Sequence, residues 1–151
     1  MPVVTVTERL LVPEERVWDL VCDLESYPKL MESVVSIGIV SETPGPDGTV
    51  DTIADWEIVL KGSILKWRER DHRDPAARRV TYRQVSGDME RFQGHWQVTR
   101  ITPEITEAEL VVDFEIGIEM LRPMLEPVAV RAVHRNSTEM LRSLGPRADT
   151  P

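Results

Sequence analysis

A single cysteine, Cys22, rules out an internal disulfide, and no grouping of cysteines and histidines has metal-ligand spacing. No apolar run approaches the ~20 residues of a membrane-spanning helix. The first residues do not read as a secretory leader, so a reducing cytoplasm is the expected location. Basic residues are in deficit, 18 Lys and Arg against 26 Asp and Glu. The net charge of −8 argues against nucleic acid, whose phosphates require basic patches. A glycine-rich phosphate loop, a Ser-His-Asp set and paired metal ligands are also missing. Hydrolase, kinase and dehydrogenase chemistry therefore lack support, and no metal or cofactor is expected.

What remains is ordinary soluble-domain composition, and 151 residues suit one domain. The informative feature is strand alternation between residues 51 and 116. Trp56 and Ile58 oppose Asp55 and Glu57; Leu65, Trp67 and Glu69 oppose Lys66, Arg68 and Arg70. Tyr82 and Gln84 oppose Thr81 and Arg83, while Phe92, Gly94 and Trp96 oppose Arg91, Gln93 and His95. Leu110, Val112 and Phe114 oppose Glu109, Asp113 and Glu115. Five strands thus agree on one apolar, aromatic face. The outward Arg68, Arg70, Arg73, Arg78, Arg79 and Arg83 read as a solvated sheet exterior.

Residues 3–12 read as a first strand, and Pro13 suits a first helical turn. Val17, Leu20, Val21 and Leu24 then mark an amphipathic helix. Ser26-Tyr27-Pro28 opens a short second helix with Leu30 and Met31 on its buried side. A strand at about 33–42 follows. Lys61-Gly62, Asp74-Pro75-Ala76-Ala77, Ser86-Gly87-Asp88 and Thr102-Pro103-Glu104 break the rest into an antiparallel meander. From Met120 the period turns helical, through Leu121, Leu125, Val128 and Ala132, then Val133, Met140, Leu141 and Leu144. Gly145-Pro146 stops it. The expectation is an α+β domain over 1–145 with a flexible tail at 146–151. A curved antiparallel sheet of about seven strands wraps a long C-terminal helix, and a ligand cavity lies between them.

This layout resembles the START-like superfamily of helix-grip proteins, in particular its polyketide cyclase/aromatase and Coq10-like branch. The resemblance rests on Val17-Trp18-Asp19 through Asp23-Leu24-Glu25-Ser26-Tyr27-Pro28, on Leu65-Lys66-Trp67-Arg68-Glu69-Arg70-Asp71, and on Val85-Ser86-Gly87-Asp88 leading to Phe92-Gln93-Gly94-His95-Trp96. Asp113-Phe114-Glu115-Ile116-Gly117 completes it. The family implies a cavity holding a poly-β-keto chain, delivered by an acyl carrier protein and folded for aldol condensation and dehydration. In other branches the cavity binds lipids or isoprenoid quinones. Where the aromatases carry a serine and an arginine after the tryptophan matched by Trp67, this chain has Glu69 and Asp71. A further cavity arginine falls at Gln84, an aromatic near the mouth at Tyr27, and its neighbour at Met31.

The site expected from these residues has Glu69 as an inward acid/base, its pKa raised by desolvation. Tyr82 and Gln84 orient carbonyls. Tyr27, Met31, Trp56, Trp67, Phe92, Trp96, Leu110, Phe114 and His134 contact the ligand. Asp71, nearer the strand end, reads as solvated. The partner is a hydrophobic small molecule, with a monomer or homodimer and no membrane span. The leading reading is a dehydrating cyclase, and the alternative is a non-catalytic lipid or quinone binder.

Overall fold

The computed structural model describes residues 2–117 and 126–148. The elements run β1 (Val3–Leu10), α1 (Glu14–Cys22), a 3-10 turn (Leu24–Ser26), α2 (Tyr27–Leu30) and β2 (Val34–Pro44). Then come β3 (Val50–Leu60), β4 (Ser63–Asp74), β5 (Arg79–Gly87), β6 (Met89–Arg100), β7 (Thr106–Ile116) and α3 (Glu126–Arg142). The strands form one antiparallel seven-stranded sheet in the order β1-β7-β6-β5-β4-β3-β2. Among the described residues no helix is long and apolar enough to cross a membrane.

Alternation decides what the sheet covers. Strand β4 buries Leu65, Trp67, Glu69 and Asp71 and exposes Ile64, Lys66, Arg68 and Arg70. In β7 the buried set is Thr106, Ala108, Leu110, Val112, Phe114 and Ile116. Helix α3 lays Ala129, Val133, Ser137, Met140 and Leu141 against this face. It rests mainly on β1, at one sheet edge, and only lightly on β3. That asymmetry leaves the β3 side of the helix open.

Aromatic rings bind the middle of the sheet. Trp56 and Trp67, opposite each other across β3 and β4, stack with centroids 5.5 Å apart. Phe92 leans on Trp67 at 4.9 Å and on Tyr82 at 5.4 Å. Tyr27 meets Trp56 and Trp96 edge-on at 5.7 and 5.9 Å. Each such pair adds about 0.5–1.5 kcal/mol beyond its buried area.

Two glycines make this arrangement possible. The β5 register slips by one residue at Val85, which brings Gly87 opposite Trp67. A Cβ at Gly87 would sit 2.4 Å from the Trp67 Cβ, and its φ of 151° is open mainly to glycine. Gly94 lies opposite Tyr82, where a Cβ would meet Val111 O at 1.8 Å. Through that gap the Tyr82 hydroxyl crosses β6 to reach β7.

Some expectations change. Leu30 is exposed, and Tyr27 takes the buried place in α2, because the four-residue helix turns one side chain inward. The second strand runs on to Pro44. Pro127 lies in the first turn of α3, where a missing N–H costs nothing. Val128 and Ala132 are only half-buried, since the buried stripe passes through Ala129 and Val133. Leu121 and Leu125 fall outside the described residues. Beyond the helix the chain pairs with β1: Leu11 N–H donates to Pro146 O at 2.8 Å and Ala148 N–H to Arg9 O at 2.9 Å.

Gly94→Ala is predicted to cost at least ~3 kcal/mol, because the methyl group meets backbone that cannot move aside. Gly38→Ala, which meets nothing within 4 Å, should change stability by less than about 0.5 kcal/mol. Urea denaturation of both variants checks the contrast.

Candidate functional site

A narrow cavity of about 50 Å³ lies between the inner sheet face and α3. Trp56, Trp67, Phe92, Trp96, Leu110 and Phe114 form its sheet wall, and Val133 and Met140 close it from the helix. Its polar lining is sparse: Glu69 and Tyr82 from the sheet, Asn136 and Ser137 from α3. As it stands the space holds a few atoms. A longer guest needs Met89, Met140 or the helix itself to give way, and unbranched methionine side chains are suited to that.

Glu69 is 3% exposed and faces this cavity. Its Oε1 accepts a 3.0 Å hydrogen bond from the Trp67 indole N–H, two residues earlier on the same side of β4. Asp71, two residues later, is 6% exposed and stands behind Glu69, away from the cavity lining. Glu69 and Asp71 are neighbours on the same side of β4, and burying two carboxyl groups side by side favours keeping a proton on the pair. Asp71 Oδ1 is buried without a hydrogen-bond partner. Burial, then the Asp71 charge, hold the Glu69 carboxyl well above its ordinary value of 4.5. Burial also raises Asp71, against the opposing pull of the neighbouring Glu69 carboxyl and of Arg73. A protonated carboxyl can give a proton and an ionised one can take it, so a pair sharing one proton can do both.

The burial of Asp71 corrects the expectation that it is solvated. Across the ladder it is flanked by Thr52 and Tyr82, both buried, so its position near the strand end does not open it to water. Tyr82 lines the cavity, but its hydroxyl donates to Val111 O at 2.7 Å. Gln84 does not line the cavity. Its amide donates to Met89 O at 2.7 Å and accepts from Met89 N–H at 3.3 Å, so it fastens the β5–β6 turn rather than orienting a ligand carbonyl.

Tyr27 and Met31 are buried in the core and absent from the cavity lining. The Tyr27 hydroxyl donates to Val21 O, tying α2 to α1. His134 is exposed because it sits one residue past the buried Val133 on α3. Burial pushes the thiol of the partly buried Cys22 up to about 11, which disfavours the nucleophilic thiolate. No cluster of His, Cys, Asp or Glu among the described residues is arranged to hold a metal ion. Ser137 and Asn136 were the polar groups that strand patterning could not find. Ser137 was nonetheless visible as the one hydroxyl in the stripe through Ala129, Val133 and Met140.

Residues 11–141 match the family described as polyketide cyclase/dehydrase and lipid transport. The actinorhodin polyketide synthase bifunctional cyclase/dehydratase of Streptomyces coelicolor is 29% identical over 140 residues, which is 91% of this chain and 41% of that protein. The chain thus spans about two fifths of the length of such curated relatives. The ribosome association toxin RatA of Escherichia coli is 26% identical over 122 residues, covering 80% of this chain and 73% of its own. Among solved structures, the Zhui aromatase/cyclase of a Streptomyces species superposes with a TM-score of 0.80 at 24% identity. That match covers 95% of this chain and 90% of the other, and bears on the fold.

The raised carboxyl pKa values carry a stability signature. Where the folded state holds its proton more tightly than the unfolded chain, stability is complete below the ordinary carboxyl values of about 4 and falls as pH rises through the folded values. Glu69→Gln keeps an acceptor for the Trp67 indole while removing the buried charge. It should flatten that fall and stabilise the protein at neutral pH by roughly 1–3 kcal/mol. Thermal melts from pH 4 to 8 decide it, and a variant with unchanged slope would contradict the buried pair.

Proposed function

The chain belongs to the polyketide cyclase/dehydrase and lipid transport family, and within it we propose a dehydrating cyclase that acts on an apolar, carbonyl-rich chain. The observation that carries this reading is the Glu69–Asp71 pair: Glu69 faces the cavity, and Asp71 supports it from behind. Burying two carboxyl groups beneath tryptophans weakens the fold, and such a cost is commonly met where proton transfer is needed.

In the proposed sequence the ionised Glu69 carboxylate removes a proton from a carbon lying between two carbonyls. The resulting enolate attacks a third carbonyl, forming the ring bond and an alkoxide. Glu69 returns that proton to the alkoxide, which becomes a hydroxyl. The Glu69 carboxylate then removes a second carbon-bound proton and delivers it to the departing hydroxyl, so one water is released and Glu69 ends ionised as it began. Net proton change is zero, so no external acid is required.

The Trp67 N–H favours the ionised form of Glu69 and so opposes in part the upward push of burial. Tyr82 acts as a rigid wall, since its proton is engaged by Val111 O. The apolar remainder of the lining would fold the chain and exclude water, gaining rate through proximity. Delivery of the substrate by an acyl carrier protein belongs to the same proposal.

A second reading, an apolar-ligand binder without turnover, draws support from the sparse polar lining and from the engagement of Tyr82. The two separate on one substitution. With a linear poly-β-ketone as probe, Glu69→Gln should slow ring formation at least ~100-fold while changing affinity by less than about threefold. Turnover equal to that of the unaltered protein would remove the acid/base role. Binding with no product from either protein would favour the binder.

A further inference from the structure

A second hollow adjoins the cavity. It is a groove of about 310 Å³ between the β3–β4 turn and the open flank of α3. Leu60 and Asn136 border both spaces, so the groove stands at the cavity's edge rather than elsewhere on the surface. Its lining is cationic: Lys61 from the turn, with Arg131 and Arg135 one helical turn apart on α3. Among the described residues Glu139 is the one carboxylate there.

Acidic residues outnumber basic ones, and several arginines elsewhere are paired with carboxylates, as in Arg9–Glu107, Arg68–Asp55, Arg91–Asp113 and Arg142–Glu8. Among the described residues the ion pairs engage none of Lys61, Arg131 and Arg135. Lys61 also occupies the first position of a two-residue hairpin turn at a φ of 48°. Asparagine, aspartate or glycine fit that left-handed backbone better, so lysine is held there against the preference of the turn.

We propose that this groove binds the anionic head of a single-chain amphiphile, a phosphate or carboxylate, while its apolar tail enters the aromatic cavity. Guanidinium groups pair with either head through two parallel N–H donors, and the ammonium of Lys61 adds a third contact from the opposite wall. Tail and head are thereby sorted by one boundary, at Leu60 and Asn136. The inference rests on the cavity's accepting an apolar chain, as proposed above, and adds the chemical class of the group at its end.

The test compares dodecyl phosphate, dodecanoate and dodecanol, each below its micelle concentration, with binding followed by tryptophan fluorescence. Both anionic chains should bind at least about tenfold more tightly than dodecanol. In Lys61→Asn, and separately in an Arg131→Gln, Arg135→Gln double variant, that preference should fall below about threefold while dodecanol affinity is retained. Lys61→Asn suits the turn and should raise the thermal midpoint, which separates a lost head-group contact from misfolding. Equal binding of charged and neutral chains, or a preference that survives these substitutions, overturns the groove and leaves the cavity standing. Failure of all three chains to bind overturns both.

Discussion

Strand β4 must turn every second side chain toward α3, and at Glu69 and Asp71 this sets carboxyl groups where water does not reach. Two negative charges cannot be held side by side in such a place, so the pair retains a proton that exposed carboxyls would release. The neighbouring architecture is arranged around this constraint. The Trp67 indole supplies a donor to one oxygen, and Gly87 makes room for the backbone that carries Trp67. Tyr82 and Thr52 close the flanks of Asp71. In the proposed reading, proton chemistry and apolar binding therefore share one wall.

The sheet was legible from residue pattern alone because its two faces differ so sharply. Alternation at Leu65, Trp67 and Glu69 against Lys66, Arg68 and Arg70 fixes both the strand and its inner side. The helix-grip arrangement followed from the order of elements together with a family resemblance. What failed was the fate of polar atoms. Gln84 points inward as its position demands, yet a bulge at Val85 brings the Met89 backbone within reach and engages its amide. Tyr27 lies in a four-residue helix whose facing is set by tertiary contacts with Trp56 and Trp96, which no local period encodes. Asp71 lies near a strand end, which by itself favours exposure, yet its ladder neighbours Thr52 and Tyr82 decide its burial. His134 is separated from the buried stripe by a single residue, a step of about 100° around the helix.

The uneven seating of α3 links the cavity to the groove. A helix pressed evenly along the sheet would seal both spaces; one resting chiefly on β1 leaves the β3 side available to Lys61, Arg131 and Arg135. The groove is much larger than the space behind it, about 310 Å³ against 50 Å³. Loading a chain accordingly means widening an apolar seam rather than filling a preformed chamber. Unbranched methionines at Met89 and Met140 and the single-sided support of the helix give that seam a route to widen.

The central claim is that burial beside the cavity keeps a proton on the Glu69–Asp71 pair at pH values where exposed carboxyls have released theirs. Infrared difference spectroscopy reads this directly, since a protonated carboxyl has a carbonyl stretch distinct from that of a carboxylate. The unaltered protein should show a protonated-carboxyl band at neutral pH that disappears in Glu69→Gln or Asp71→Asn. A spectrum in which every carboxyl is ionised by neutral pH would contradict the account.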